Sequence, residues 1–399
     1  MTFSKGAQRG GLSLIFWILG IGILATLFFT GTMRGLLPTV ITTATIYAIA
    51  ALGLNLVVGH TGQLAIGHAG FFMIGGYASA LLFMIFQVPW PLAFLIGGGL
   101  AGIAGLLIGI PTLKLKGDYL AIVTLGFGQI IQSALNNMNL FVEKVTRMVG
   151  ESTVVTSSVL FAQPDGSAPE PSLEAGGEIV EVVLEKIVNG ANGISNIPGF
   201  APGVMGTPWA FLWSAITLMV IAIFLRNLVT SSHGRAMISI REDEIAAGTM
   251  GINVFNTKLV SFVISAVITG IAGGLYVVHL RTAVPNLFTF LTSVNFVIII
   301  VLGGLGSNTG AIIGAFIFML SQEWLLRDVI PLSNYKGLIF SFILIILMIF
   351  FPGGMMGKKE LTYQLMNKWF KGLFPFDKDT QSGAEDRDLP APHNQEEDQ

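Results

Sequence analysis

The sequence predicts an all-α fold: a polytopic transmembrane helical bundle of about ten spans, some of them broken or re-entrant. Two observations carry this reading. Of the 399 residues, 53% are hydrophobic and only 11% charged, against about 25% charged in an ordinary soluble domain. The apolar residues also collect in runs of about 20, the length a helix needs to cross ~30 Å of hydrocarbon. Glycine supplies a third. The chain has 49 glycines, many inside apolar runs such as "LIGGGLAGIAGLLIG" (95–109) and "VITGIAGGLY" (267–276). In water each would cost a helix roughly 1 kcal/mol against alanine. In a bilayer, small residues four apart, such as Gly98 and Gly102 or Gly270 and Gly274, let helices approach closely.

Taken in order, the runs lie near 11–30, 37–59, 64–86, 90–111, 119–136, 209–227, 258–280, 291–305, 310–326 and 335–351. The first is followed by "TGTMRG" rather than a small-residue cleavage site, and so reads as an uncleaved span. The eighth and ninth are short and interrupted by glycine, the pattern of broken or re-entrant helices. Four regions follow: an N-terminal membrane half (1–136), an external acidic insert (137–208), a C-terminal membrane half (209–357) with a cytoplasmic loop at 229–257, and a tail (358–399). The insert holds eight acids and three bases, and Ile179, Val182, Val183 and Ile187 within 172–190 predict an amphipathic helix. The tail is polar, acidic and Pro-containing, a composition that cannot bury a core, and is expected to be largely disordered. With the N-terminus inside, 14 of the 21 basic residues fall on the cytoplasmic side. This bias predicts a multi-pass protein of the cell (inner) membrane with both termini cytoplasmic.

The absence of cysteine excludes thiolate chemistry, thiolate-ligated metals and disulfides. No catalytic constellation and no clustered metal-ligand set occurs, and a net charge of −2 gives no nucleic-acid footprint. No G-x-x-x-x-G-K-[ST] phosphate loop is present; "GMMGKKE" (354–360) lacks both the spacing and the Ser or Thr. The spans hold almost no ionisable side chain of the kind that marks an ion path or proton relay. Glu323 and Arg327, at the outer end of their span, are the clearest exception. This pattern predicts an energy source outside this chain.

Two stretches draw attention. In "VVGHTGQLAIGHAGFF" (57–72) a polar turn leads directly from one span into the next. Backbone that is irregular at membrane depth is tolerated only where it is buried in protein or lines a cavity. Gly62, Gln63, Gly67, His68 and Gly75 are thus candidates for the translocation path. Asn55, one turn earlier, is either an interhelical hydrogen-bonding residue or a path residue, and His60 and His68 are either structural or gating groups. The second stretch, "REDEIAAGTMGI" (241–252), has good helix formers and acids in its first turn, and reads as a short helix outside the membrane. A transporter without its own engine needs such a cytoplasmic surface for a motor to act on.

Five ordered blocks carry a resemblance: "GLNLVVGHTGQLAIGHAGFFMIGGYASALL" (53–82), "LKLKGDYLAIVTLGFGQII" (113–131), "NGANGISNIPG" (189–199), "REDEIAAGTMGINVFNTKLVSFVISAVITGIAGGLY" (241–276) and "VLGGLGSNTGAIIGAFIF" (301–318). Together they resemble the permease subunit of branched-chain amino acid ABC importers, the LivM-type half. The resemblance implies a non-enzymatic permease that binds no cofactor of its own. It would pair with a second homologous permease, be driven by two cytoplasmic ATP-binding subunits that consume ATP, and receive substrate from an external binding protein. It also implies that Ala246, Ala247 and Gly251 belong to a coupling loop, with Arg241, Glu242, Asp243 and Glu244 as charged contacts around the docking face. Ile245 stands where the family carries an acid, Gln129 where relatives often carry Glu, and 145–187 is longer than usual. From the residues alone, a self-sufficient carrier or channel for a small polar solute such as urea or an amide stays open.

Overall fold

The computed structural model describes residues 26, 36–114, 119–149, 152–161, 178–200, 207–323 and 354–356. Helix α1 (Leu37–Asn55) is apolar on all sides and is accordingly buried on all sides: every residue from Ala44 to Asn55 is shielded. It ends in a π-type turn (Leu56–His60), and an irregular stretch at 62–67 leads to α2 (His68–Phe86). Then come α3 (Trp90–Thr112) and α4 (Tyr119–Asn136). After the insert, α5 (Thr207–Thr230) leads to two short helices, α6 (Ser232–Glu242) and α7 (Glu244–Thr249). Helix α8 (Val254–Leu280) is followed by a 3-10 turn (Pro285–Leu287), α9 (Phe290–Gly303) and α10 (Asn308–Met319).

Helix α8 packs against α1, α2 and α3. Glycine makes the α2–α8 contact possible. A Cβ on Gly75 would lie 2.1 Å from the Gly270 carbonyl oxygen, and one on Gly273 would lie 1.8 Å from that of Phe72, so the two backbones touch directly. Tyr47, Phe72, Tyr276, Phe288 and Phe296 form a ring cluster between α1, α2, α8 and α9, with centroids 5.2–6.3 Å apart. One face of α3 is the opposite case: Leu92, Leu95, Leu100, Ile103 and Leu107 are all exposed. So much contiguous apolar surface is foreign to a soluble monomer and suits lipid.

Six described helices are long and apolar enough to cross a membrane: 37–60, 68–86, 90–112, 208–230, 254–280 and 285–303. These answer to the second, third, fourth, sixth, seventh and eighth expected spans. The first, apart from Thr26, and the tenth lie outside the described residues, as does the tail expected to be disordered. The fifth is α4, 18 residues long, where Gln129, Gln132 and Asn136 dilute the apolar character. The ninth is α10, which continues in a π-type turn over 320–323; the rest of that span lies outside the described residues.

The insert departs from its expectation. Where 172–190 predicts an amphipathic helix, residues 178–189 form strand β3 (Glu178–Asn189). It pairs antiparallel with β1 (Asn139–Val149), which pairs antiparallel with β2 (Ser152–Phe161), giving the order β2-β1-β3. The physical reason lies in the residue types. Ile179, Val180, Val182, Val183, Ile187 and Val188 are β-branched, stiff at χ1 and better suited to a pleated surface than to a helix. Among the described residues the fold is therefore helical in its membrane part, with one three-stranded sheet.

Candidate functional site

The polar turn is held by side chains that its own sequence supplies. Asn55 is fully buried: its Nδ2 donates to Asn308 Oδ1 (3.2 Å) and its Oδ1 accepts from the Gly306 amide (2.9 Å). His60 Nδ1 donates to the Asn55 carbonyl at 3.2 Å, and Thr61 Oγ1 donates to the Val57 carbonyl at 2.6 Å. Gln63 Nε2 donates to Thr61 Oγ1 (3.0 Å) and Ser261 Oγ (3.3 Å). Ser265 Oγ gives its proton to the Gly53 carbonyl (2.6 Å), so at 2.7 Å from His68 Nε2 it must accept, which fixes the Nε2–H tautomer of His68. The turn is thus tied by side-chain hydrogen bonds to α8 and α10, while Gln63 Oε1 and His68 Nδ1 are buried with no partner among the described residues.

Immediately beyond this turn lies a narrow cleft of about 10 Å³, room for roughly one water molecule. Its polar wall is Gln129, Thr289 and Ser293; Ile66, Leu125, Phe288 and Phe290 form the apolar wall, with Gly67, Ala69 and Gly128 between them. The N-terminal ends of α2 and α9 meet here, the Ala69 amide donating to Ser293 Oγ at 2.8 Å. The segment 281–289 that leads into α9 is largely irregular and is anchored by Tyr77, whose hydroxyl donates to the Ala283 carbonyl (2.8 Å), and by Gln132, whose Nε2 donates to that of Pro285 (3.3 Å). Gly67 is pressed on α4: its Cβ would fall 1.9 Å from the Thr124 carbonyl oxygen.

Of the six residues expected on a path, Gly67 lines this pocket. Asn55, Gln63 and His68 are occupied in interhelical hydrogen bonds, and Gly75 is clamped between α2 and α8. Gly62, at φ +71°, faces Arg241. Sequence reading passed over Thr289 and Ser293. It also passed over Ser261 and Ser265, although their spacing of four is a legible one-face pattern on a helix.

The charged stretch 241–252 divides into the end of α6 and all of α7. Asp243 caps α7, its Oδ1 accepting from the amides of Ile245 (2.8 Å) and Ala246 (2.9 Å). Glu244 pairs with Lys258 at 2.6 Å. Arg241, expected among the charged contacts of the docking face, points inward instead and donates to the Gly59 carbonyl. Ala247, expected on the same face, is 4% exposed and packs into its own chain. What α7 presents outward is Ala246, Gly251 and, above all, Ile245 and Met250, which are 81% and 83% exposed.

Six helices among the described residues that are long and apolar enough to cross a membrane, with a polar break between two of them, mark a multi-pass membrane protein. Residues 36–349 match the family described as branched-chain amino acid transport system / permease component, and the chain belongs to that family. It is 35% identical over 330 residues to the high-affinity branched-chain amino acid transport system permease protein LivM of Escherichia coli K12, covering 82% of this chain and 71% of that protein. LivH of the same organism is 25% identical over 328 residues, covering 80% and 94%; BraD of Pseudomonas aeruginosa is 25% identical over 329 residues, also covering 80% and 94%. No solved structure matches the chain. The chain is the membrane permease component of a branched-chain amino acid ABC transport system, and not an enzyme.

Proposed function

We propose that this chain forms one half of the path of an ATP-driven importer in the inner membrane. Its termini face the cytoplasm, a second homologous permease completes the path, and two ATPase subunits dock at α7. An external binding protein delivers substrate on the side of the 137–208 insert. Relatives named both LivM and LivH support a pairing of two homologous permeases. The pocket between α2, α4 and α9 is the place where substrate passes. Its Ile66, Leu125 and Phe288 suit an aliphatic side chain, and Gln129, Thr289 and Ser293 suit an amino acid's polar groups.

The observation that carries the reading is the exposure of Ile245 and Met250. They are the two most exposed large apolar side chains among the described residues, and they sit beside exposed Glu242, Asp243 and Glu244. Carboxylates at that density exclude burial in lipid, so a protein partner is what would cover the two apolar groups. Covering an isoleucine or methionine contributes about 1.5–3 kcal/mol. Ile245→Asp should therefore release the ATPase subunits when the complex is purified in mild detergent. Retention of the ATPases with normal uptake would place the docking surface elsewhere, first at "LKLKGD" (113–118).

A further inference from the structure

We propose that Arg241 ties the α6–α7 pair to the polar turn of the membrane bundle, and that this tie transmits motion between them during transport. The inference rests on the reading of α7 as the ATPase dock and adds how a push there reaches the path.

Arg241 lies in the last turn of α6, two residues before Asp243 caps α7. Its Nη1 donates to the carbonyl of Gly59, within the π-type turn that ends α1. Carbonyls at a helix end lack intrahelical partners, and a cation is favoured there by the helix dipole. The seat around the guanidinium is built of glycine. A Cβ on Gly306 would lie 2.8 Å from Arg241 Nη1, and one on Gly62 would lie 3.2 Å from Arg241 Cγ. Both glycines have positive φ, +86° and +71°, so neither position readily takes a side chain. The far wall is fixed by Asn55, which holds the Gly306 amide and Asn308 together. One cation from α6 thus sits where the buried helix α1, the turn leading to α2 and the loop leading to α10 converge. Gly62 and Gly67 begin and end the same irregular stretch, so displacement at Gly59–Gly62 is passed along that stretch to Ile66 and Gly67 of the pocket. Because a charge-assisted hydrogen bond is about twice as strong as a neutral one, this contact holds while weaker surface contacts slide. Arg241 is a positioning residue: it touches neither the pocket nor the exposed face of α7.

The test uses the whole complex, with its second permease, ATPases and binding protein, reconstituted in proteoliposomes. The readouts are ATPase retention, uptake and ATP hydrolysed per substrate imported. Arg241→Met should keep the ATPases bound, lower uptake about tenfold, the effect of losing one charge-assisted hydrogen bond, and raise the ATP consumed per substrate. Arg241→Lys should recover part of the uptake, since it restores the charge without the planar fork. Loss of the ATPases from Arg241→Met would make the residue a docking contact and overturn the proposal, as would wild-type uptake at the wild-type ATP ratio. If Arg241→Met assembles poorly, Arg241→Lys is the variant read: it should keep the ATPases and import below the wild-type rate at a raised ATP ratio, and wild-type uptake at the wild-type ratio would refute transmission. Failure of the docking reading shows separately, as retention of the ATPases by Ile245→Asp.

Discussion

Gly67→Ala should drive α4 away from the turn that precedes α2. The new Cβ would lie 1.9 Å from the carbonyl oxygen of Thr124 and 2.4 Å from its carbonyl carbon, about 1.5 Å short of ordinary contact. Both atoms belong to helix backbone and cannot rotate aside, so the helix itself must move. Overpacking of this kind costs about 1–3 kcal/mol, and a clash with main chain belongs at the upper end. The displacement should also strain the hydrogen bond from the Ile66 amide to Thr124 Oγ1 (3.3 Å) and carry Gly128 and Gln129 out of the pocket wall. The assay is substrate uptake by the reconstituted complex, read beside the thermal midpoint of the purified complex. Both should fall. Gly126→Ala, on the same helix with nothing within 4 Å of its Cβ, is the matched control and should leave both in place. If Gly67→Ala imports at the wild-type rate and unfolds at the wild-type temperature, the turn is not packed on α4 and the pocket has no part in the route.

Gly128→Ala tests the cleft without that clash, since the nearest atom to its Cβ would lie 3.7 Å away; the added methyl should narrow the space and lower uptake while yield and thermal midpoint of the complex hold. Gly251 has φ +83° with open space around it, so Gly251→Ala should destabilise the end of α7 by about 1–2 kcal/mol through backbone strain alone, a shift measurable by denaturation. Gly251→Trp adds bulk at the docking face and should also uncouple hydrolysis from uptake or release the ATPases. Uptake by vesicles containing the complex should survive a protonophore when ATP is held constant, and loss of uptake there would indicate a proton-coupled carrier.

The membrane helices were legible because an apolar run of about 20 residues admits few alternatives. The rule weakens at α4, which is diluted by amides. The insert was misread for a different reason. Spacing placed Ile179, Val182, Val183 and Ile187 on a helical stripe, but Val180 and Val188 complete a β-branched set whose preference is for strand, and the pairing with β1 lies outside any local pattern. In the site, the position of the polar turn could be read from "GHTGQ", because a polar break between two apolar spans has to be satisfied somewhere. The direction of each side chain could not. Arg241 and Glu242 are neighbours in a charged run, yet Arg241 reaches the bundle; Ile245, an anomaly in the sequence pattern, proves to be a principal exposed group.

The same accounting bears on how such a bundle can move. Irregular backbone occurs at 62–67, 281–289 and 304–307, and each stretch is tied down by identified donors or acceptors: Gln63 on the first, Tyr77 and Gln132 on the second, Asn55 and Ser307 on the third. An unsatisfied peptide group in hydrocarbon costs several kcal/mol, so these ties are expensive to break one at a time. Movement should therefore carry each break together with the helices that satisfy it. The glycine contacts, Gly75 on Gly270 and Gly67 on Thr124, are the surfaces where such units meet without interlocking side chains. None of the six apolar spans contains an Asp or Glu, so within them no carboxylate can take up a proton to drive the change. If the drive arrives from an end of the bundle, as proposed above, the end at which the polar turn, the 304–307 loop and α6 meet Arg241 is placed to receive it.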